Sequence, residues 1–494
     1  MTEVGLTVPP DPLRDLPTGA FIGGQWVAPR GAPLSSVDPA TGRRLTTFGG
    51  CDEADVDTAV ATALTAFEWH RTTRPAERER WLRALAERLR ERADLLARIT
   101  TLDMGMPIEL ARAQVLSAAE LCEYTAGWAT KLYGDVAYPS TQADYHAFTE
   151  REPLGVVAAI VPWNAPLLLT MLKLAPAIAT GNSVVIKPSE EATLPLLALA
   201  QAVADAGLPD GLVNVVPGLG HTAGAALAAH RDVAKISVTG SVATGQRIVE
   251  LSAGNLKRVT LELGGKSPNI VCADADLDIA VSESGWGVFA FSGQLCVAGT
   301  RILVHRSRYE EFTERLGAYA RGLKVGNGFD PGTQIGPLVS ARQLDRATGY
   351  VQRAAGDGAR LVATGNPPAG DACDGGFFMP PVVFADVDNA SELGREEVFG
   401  PVASVLPFDD LDEAVRIAND TPFGLAAGLY TNDVNQVHRV SRRLRAGVVW
   451  VNGYLASDPS VPFGGSRMSG YGREKGRQVI EDYTELKSVW IRLR

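Results

Sequence analysis

The sequence predicts an α/β protein with at least two domains. Short β-rich apolar runs at 156–161, 184–186, 213–216, 236–238 and 259–263 alternate with helical segments, the pattern of a parallel sheet covered by helices. The runs are apolar throughout, as expected of strands buried on both faces. The chain has 494 residues, more than one hydrophobic core holds.

Taken in order, residues 1–50 read as irregular, with many Gly and Pro. A helix follows, with Val56, Ala59, Val60, Ala63, Leu64 and Phe67 at helical spacing and Asp52 placed to cap it. Leu82, Leu85, Leu89 and Leu96 mark further helix. A polar, turn-rich stretch from 134 to 152 separates this helical part from the alternating one, where Gly181 and Gly207 close helices. Beyond 265 a second α/β pattern has strands near 302–304, 402–407 and 448–451. There is no internal repeat and no low-complexity tract.

Composition narrows the function. The 47 basic and 57 acidic side chains give a net charge of −10, which disfavours a nucleic-acid binder. The five cysteines are odd in number, widely spaced and without a CxxC, so a disulfide framework is not expected and a reducing compartment fits. The start lacks the apolar core of a signal peptide. The longest apolar run, 154–163, is too short to span a bilayer. A cytoplasmic protein without a membrane partner is the expectation. The six histidines show no metal-ligand spacing, so no metal site is expected.

The polar residues interrupting the alternating region fall in one kind of place. Asn164, Lys187, Glu190, the Pro217-Gly218-Leu219-Gly220 turn, Gly240-Ser241 and Glu262 all end or follow strands. Ligands of open α/β sheets bind outside the carboxyl ends of strands, so these positions converge on one edge. Two residues stand out there and just beyond. Glu262 lies in Leu261-Glu262-Leu263-Gly264-Gly265-Lys266-Ser267-Pro268, and Cys296 in Phe291-Ser292-Gly293-Gln294-Leu295-Cys296-Val297-Ala298-Gly299. Alone, a cysteine in apolar surroundings is usually a small buried hydrophobe, and a strand-end glutamate is often only solvated. Together, a thiol and a carboxylate beside glycines can capture a carbonyl carbon and hydrolyse the adduct.

These two windows resemble the active-site signatures of the aldehyde dehydrogenase superfamily. Further ordered motifs match: Pro162-Trp163-Asn164, Lys187-Pro188-Ser189-Glu190, Gly240-Ser241-Val242-Ala243-Thr244-Gly245, Glu397-Val398-Phe399-Gly400-Pro401, and Pro462 through Gly470 followed by Gly472-Arg473-Glu474. The resemblance covers roughly residues 20 to 490. It implies a Rossmann-type cofactor domain (1–130 and 154–263), a second α/β catalytic domain (264–470) and a small β oligomerisation element (131–153 with 478–494) that serves a homodimer or homotetramer. It implies Cys296 as nucleophile, Glu262 as the base for the deacylating water, and Asn164 with the Cys296 N–H as the oxyanion site. The implied cofactor residues are Trp163, Lys187, Ser189, Glu190, Gly220, Gly240, Ser241, Gly245, Leu263, Gly264, Glu397 and Phe399. Glu190 would accept from a ribose 2′-OH and repel a 2′-phosphate, so the expected cofactor is NAD, with NADP as the alternative. Arg467 stands where the family usually has Lys.

The resemblance also sets the expected substrate. Ala165, Leu168 and Leu172 would line the entry funnel, Leu295 and Val297 would flank the nucleophile, and Ser457 and Phe463 would come from a late loop. The aromatic box that holds betaine aldehyde is missing at Ala165 and Leu172, so an apolar aliphatic or aromatic aldehyde is expected. Two rival readings are a CoA-acylating semialdehyde dehydrogenase, which would not need Glu262, and a non-catalytic crystallin-like protein on the same fold.

Overall fold

A computed structural model describes residues 11–141, 143–368 and 373–494. Residues 1–10, counted above with the cofactor domain, lie outside the described residues. Among the described residues no helix is long and apolar enough to cross a membrane.

The chain forms two large sheets. The first has eight strands in the spatial order Gly470–Tyr471, Arg258–Glu262, Val233–Thr239, Val156–Ile160, Ser183–Lys187, Val213–Val215, Ala20–Ile22 and Gln25–Val27. The five inner strands are parallel and contain the five apolar runs read from the sequence. All but Arg258–Glu262 are almost fully buried, which explains why they lack polar alternation. Antiparallel strands close both edges: Gly470–Tyr471 on one side, Ala20–Ile22 on the other.

Residues 1–50 are not irregular throughout, as the sequence suggested. Ala20–Ile22 and Gln25–Val27 form a hairpin across Gly23 and Gly24, both in the left-handed region, and Leu34–Asp38 pairs with Arg43–Phe48. Strands of three residues are too short to show a period, and Gly-rich turns mask them.

Helices cover the first sheet. Glu53–His70 starts in a full capping box, Asp52 accepting from the Asp55 N–H while Asp55 returns the bond. Pro75–Glu91, Ala93–Met104 and Ile108–Ala126 pack with Pro166–Thr180 in one core through Leu82, Leu89, Leu96, Val115 and Leu174. Gly181, at φ 96°, ends Pro166–Thr180 in the left-handed conformation that glycine adopts most easily. Val479, Ile480 and Tyr483, near the C-terminus, return to this same core.

The second sheet runs Arg360–Thr364, Val382–Ala385, Val402–Phe408, Arg301–His305, Pro268–Val271, Ala426–Tyr430 and Val448–Val451, all parallel except the first. The sequence reading named three of these strands. Pro268–Val271 begins with proline, and Ala426–Tyr430 (Ala-Ala-Gly-Leu-Tyr) has no β-branched residue, so neither looks β-rich. A third, small sheet pairs the tail Thr484–Arg492 antiparallel with Tyr145–Pro153 along its whole length, and Val136–Ala137 completes it.

Candidate active site

The inner strands of the first sheet end at Ile160, Lys187, Val215, Thr239 and Glu262, so their carboxyl ends form one edge. The second sheet begins at Pro268, five residues after Leu263, and the chain between the two sheets carries Gly264 and Gly265. The candidate residues gather along this junction.

Cys296 sits in a loop after the helix Leu277–Phe289. Three consecutive residues just before it are left-handed: Phe291 (φ 55°), Ser292 (φ 57°) and Gly293 (φ 72°). Such backbone persists only where surroundings enforce it. The Ser292 hydroxyl donates to the Gly336 carbonyl at 2.9 Å, and the Val339 N–H donates to the Gln294 side-chain oxygen at 3.0 Å. A Cβ on Gly293 would lie 2.2 Å from the Gly400 carbonyl oxygen, so the loop is pressed against the second lobe. Behind Cys296, the Tyr454 hydroxyl donates to the Val297 carbonyl at 2.8 Å. The Tyr454 ring lies so close to Gly287, Gly299 and Gly428 that a Cβ at any of them would overlap it.

The thiol is partly exposed, unlike Cys51, Cys122 and Cys272. Its surroundings oppose ionisation: burial pushes the Cys296 thiol up to about 12, and the carboxylates of Glu397, Glu262 and Glu474 push the same way. A positive charge brought into the site would reverse this bias.

Asn164 follows the first inner strand and is buried; its side-chain amide donates to the Gln294 carbonyl at 2.9 Å. Glu262 ends its strand with both carboxylate oxygens buried and without a full hydrogen bond, although the Gly465 N–H approaches closely enough to lower its proton affinity. Burial holds its proton affinity well above the ordinary carboxylate range, Glu474 adds to this, and Lys173 and Arg473 oppose it. Gly464 allows the close approach, since a Cβ there would stand 2.5 Å from a Glu262 oxygen. Gly265 does the same for Cys296, its Cβ position lying 2.7 Å from the Cys296 carbonyl oxygen.

The structure adds residues to which the sequence reading gave no role. The Lys173 ammonium, fully buried, donates to Glu474 at 2.5 Å and to the Thr239 hydroxyl at 2.8 Å. One signal was visible: Lys173 is the only charge in the fifteen-residue apolar helix Pro166–Thr180. Glu474 stood in a quoted motif without a role. Tyr454 gave no signal, because its partner is a backbone carbonyl.

The cofactor candidates form two groups. In the first, Lys187 is buried and pairs with Glu190 at 3.2 Å. Burial raises the Glu190 proton affinity, but the Lys187 charge and hydrogen bond, a backbone N–H and the Arg342 charge together outweigh it and hold the carboxyl below the usual range. The Ser189 hydroxyl accepts from the Glu191 N–H. Ser241 caps the helix Val242–Ser252, accepting from the Thr244 N–H, and Gly240 donates its N–H to the Glu262 carbonyl. Gly220 opens a short wide helical turn and faces open space, while Gly245 packs flush on Leu263. In the second group, the Trp163 and Phe399 rings meet edge to face at 5.3 Å. Glu397 accepts the Gly265 N–H at 3.1 Å, and a Cβ on Gly264 would overlap its carboxylate. Burial lifts Glu397 to about 7.

The arrangement fits a dinucleotide. A helix N-terminus, the Lys187–Glu190 pair and Gly220, which faces open space, lie along the edge formed by the strand ends.

The family model described as the aldehyde dehydrogenase family matches residues 26–489. An aldehyde dehydrogenase of Aspergillus niger is 43% identical over 492 residues, 99% of this chain and 98% of that protein. A betaine aldehyde dehydrogenase of Brucella melitensis biotype 2 is also 43% identical, over 96% of this chain and 97% of that one. Among solved structures, the indole-3-acetaldehyde dehydrogenase AldA of P. syringae, a mutant in complex with NAD+ and IAA, superposes with a TM-score of 0.93 at 42% identity, covering 96% of this chain and 97% of that chain.

Proposed function

This chain belongs to the aldehyde dehydrogenase family, and from that premise we propose that it oxidises an aldehyde to the carboxylic acid through a covalent thioester on Cys296, with NAD as the acceptor. The observation that carries this reading is Glu262: a buried carboxylate with neither oxygen in a full hydrogen bond, close enough to Cys296 to perturb its thiol. A buried polar group without a partner is costly, and a water substrate would supply the missing bond.

Glu190, Lys187 and Ser189 would hold the adenosine ribose, the Gly240–Gly245 helix start the pyrophosphate, and Glu397 and Phe399 the nicotinamide ribose. Trp163, Gly220, Leu263 and Gly264 would complete the cradle. NAD bound there would supply a hydride acceptor and a positive ring. Within the protein, the Cys296 thiol gives its proton to solvent, the sulfur attacks the carbonyl carbon, and the carbonyl oxygen takes up the negative charge. The Asn164 amide and the Cys296 N–H stabilise that oxyanion. Loss of the hydride leaves a thioester. Glu262 takes a proton from water, the hydroxide oxygen adds to the acyl carbon, the C–S bond breaks, and the acid leaves with Cys296 restored.

The substrate we infer is apolar next to the reacting carbon, because Leu295 and Phe463 border the same apolar cluster as Cys296. Betaine aldehyde does not fit, since the face of Phe463 is already covered by the Lys475 ammonium. A homo-oligomer is supported by the small sheet, whose long tail strand is an unpaired edge with Leu486, Trp490 and Ile491 exposed. A cytoplasmic location is supported by the absence of any disulfide among the described residues.

The test is direct. Protein, NAD and hexanal should produce the reduced nicotinamide absorbance, and Cys296→Ala should produce none. Undiminished turnover by that variant would end the proposal, and a product that requires CoA would replace it with the acylating reading.

A further inference from the structure

Lys475 brings an ammonium to the late loop that carries Ser457 and Phe463. Glu474 and Lys475 are neighbours in sequence but face different ways. Glu474 turns inward to Lys173, while its backbone forms a two-way bridge with Phe463, both bonds 2.7 Å. Lys475, left-handed at φ 62°, turns outward instead. Its ammonium donates to the Ser457 hydroxyl and lies 5.8 Å from the centre of the Phe463 ring. Phe463 in turn packs in the apolar cluster that contains Leu295, Val297 and Cys296. The ammonium therefore lies against a ring that borders the same apolar cluster as Cys296.

That ammonium has spare capacity. Among the described residues no carboxylate forms an ion pair with it. Asp458, whose charge the ammonium feels, has one carboxylate oxygen engaged by both the Ser460 N–H and the Ser460 hydroxyl. One of three N–H donors goes to Ser457, which leaves two for an acceptor. Lys475 is partly buried, and burial lowers its proton affinity, with Glu474 and Asp458 working against that. A half-desolvated cation that makes no ion pair binds an anion more strongly than a solvated one does.

We propose that Lys475 is a specificity determinant that receives a carboxylate at the far end of the substrate, so that the preferred aldehydes are acids with an apolar spacer between carboxylate and aldehyde. This rests on the dehydrogenase reading above and narrows its substrate class. The apolar residues accept the spacer, and Lys475 with Ser457 accepts the charged end.

The test compares kcat/KM for matched pairs, 6-oxohexanoate against hexanal and 4-carboxybenzaldehyde against benzaldehyde, in the wild type, Lys475→Met, Lys475→Arg and Lys475→Glu. In the wild type the acid of at least one pair should be preferred. The acid-to-neutral ratio should fall about 10- to 100-fold in Lys475→Met, the worth of one charge-assisted hydrogen bond. It should be largely restored in Lys475→Arg and should fall further in Lys475→Glu. A wild type that prefers the neutral member of both pairs, or a ratio unchanged in Lys475→Met, overturns the assignment while leaving the dehydrogenase reading intact. Turnover of neither member of either pair by the wild type removes the dehydrogenase reading and this one with it.

Discussion

The side-chain amide of Asn164 donates to the backbone carbonyl of Gln294 at 2.9 Å, across 130 residues of sequence. One bond thereby fixes an amide from the first lobe against the loop that carries Cys296. In the proposed mechanism the second amide hydrogen serves the oxyanion formed at the thiol. Asn164→Ala removes both functions. We expect kcat to fall about 10²–10³-fold, the usual cost of losing one oxyanion donor, with a smaller change in KM. Steady-state kinetics with hexanal would check this, and a change confined to KM would contradict it.

The resting thiol is protonated near neutrality, with its proton affinity raised to about 12 by burial and by Glu397, Glu262 and Glu474. Below that value the thiolate fraction grows about tenfold per pH unit. Alkylation of Cys296 by iodoacetamide should therefore climb by about that factor per unit from pH 7 to 9. Saturating NAD should accelerate it at fixed pH, because the bound ring brings a positive charge. A plateau in the rate near pH 8 without NAD would contradict this assignment.

The pair of Lys173 and Glu474 sets the working range of Glu262. The base acts only when ionised, so deacylation should decline as pH falls through its raised proton affinity. Lys173 lowers that affinity and Glu474 raises it. Lys173→Met should accordingly move the midpoint of the deacylation limb to higher pH, and Glu474→Gln to lower pH. Pre-steady-state release of acid across pH 5 to 9 would read both. Lys173→Met should also lose about 3–5 kcal/mol of stability, because it strands a buried carboxylate. Shifts of the same sign in both variants would refute the electrostatic account.

Tyr454→Phe removes one oxygen and leaves the Val297 carbonyl without its partner. The expected cost is about 1–3 kcal/mol, the penalty for a buried acceptor left unpaired. Because the bond braces the residue after Cys296, part of that loss should appear as slower acylation. Denaturant melts and single-turnover rates together would show it. A variant with unchanged melting and unchanged acylation would mean the bond does not position the loop.

Much of this protein was legible in its order of residues. The five apolar runs became the five parallel strands, and those buried on both faces have no choice but to be apolar. Asp52 capped its helix because capping depends on a few adjacent residues. Asn164, Lys187, Glu190 and Glu262 followed strands, and in a parallel sheet that alone puts them on one edge. What the chain could not declare was everything requiring an address across the fold. The hairpin at 20–27 is too short to show a period, and Ala426–Tyr430 is a strand only because neighbours hydrogen-bond it on both sides. Glu474 finds Lys173 across 301 residues. Tyr454 is fitted to three glycines from three different segments. Glu262 is a buried carboxylate short of a full hydrogen bond only once Gly464 lets the late loop close over it. Local patterning dictates which segments are helix or strand and which residue types reach an edge. Burial, and with it proton affinity, is a property of the surroundings, and only the folded chain supplies those.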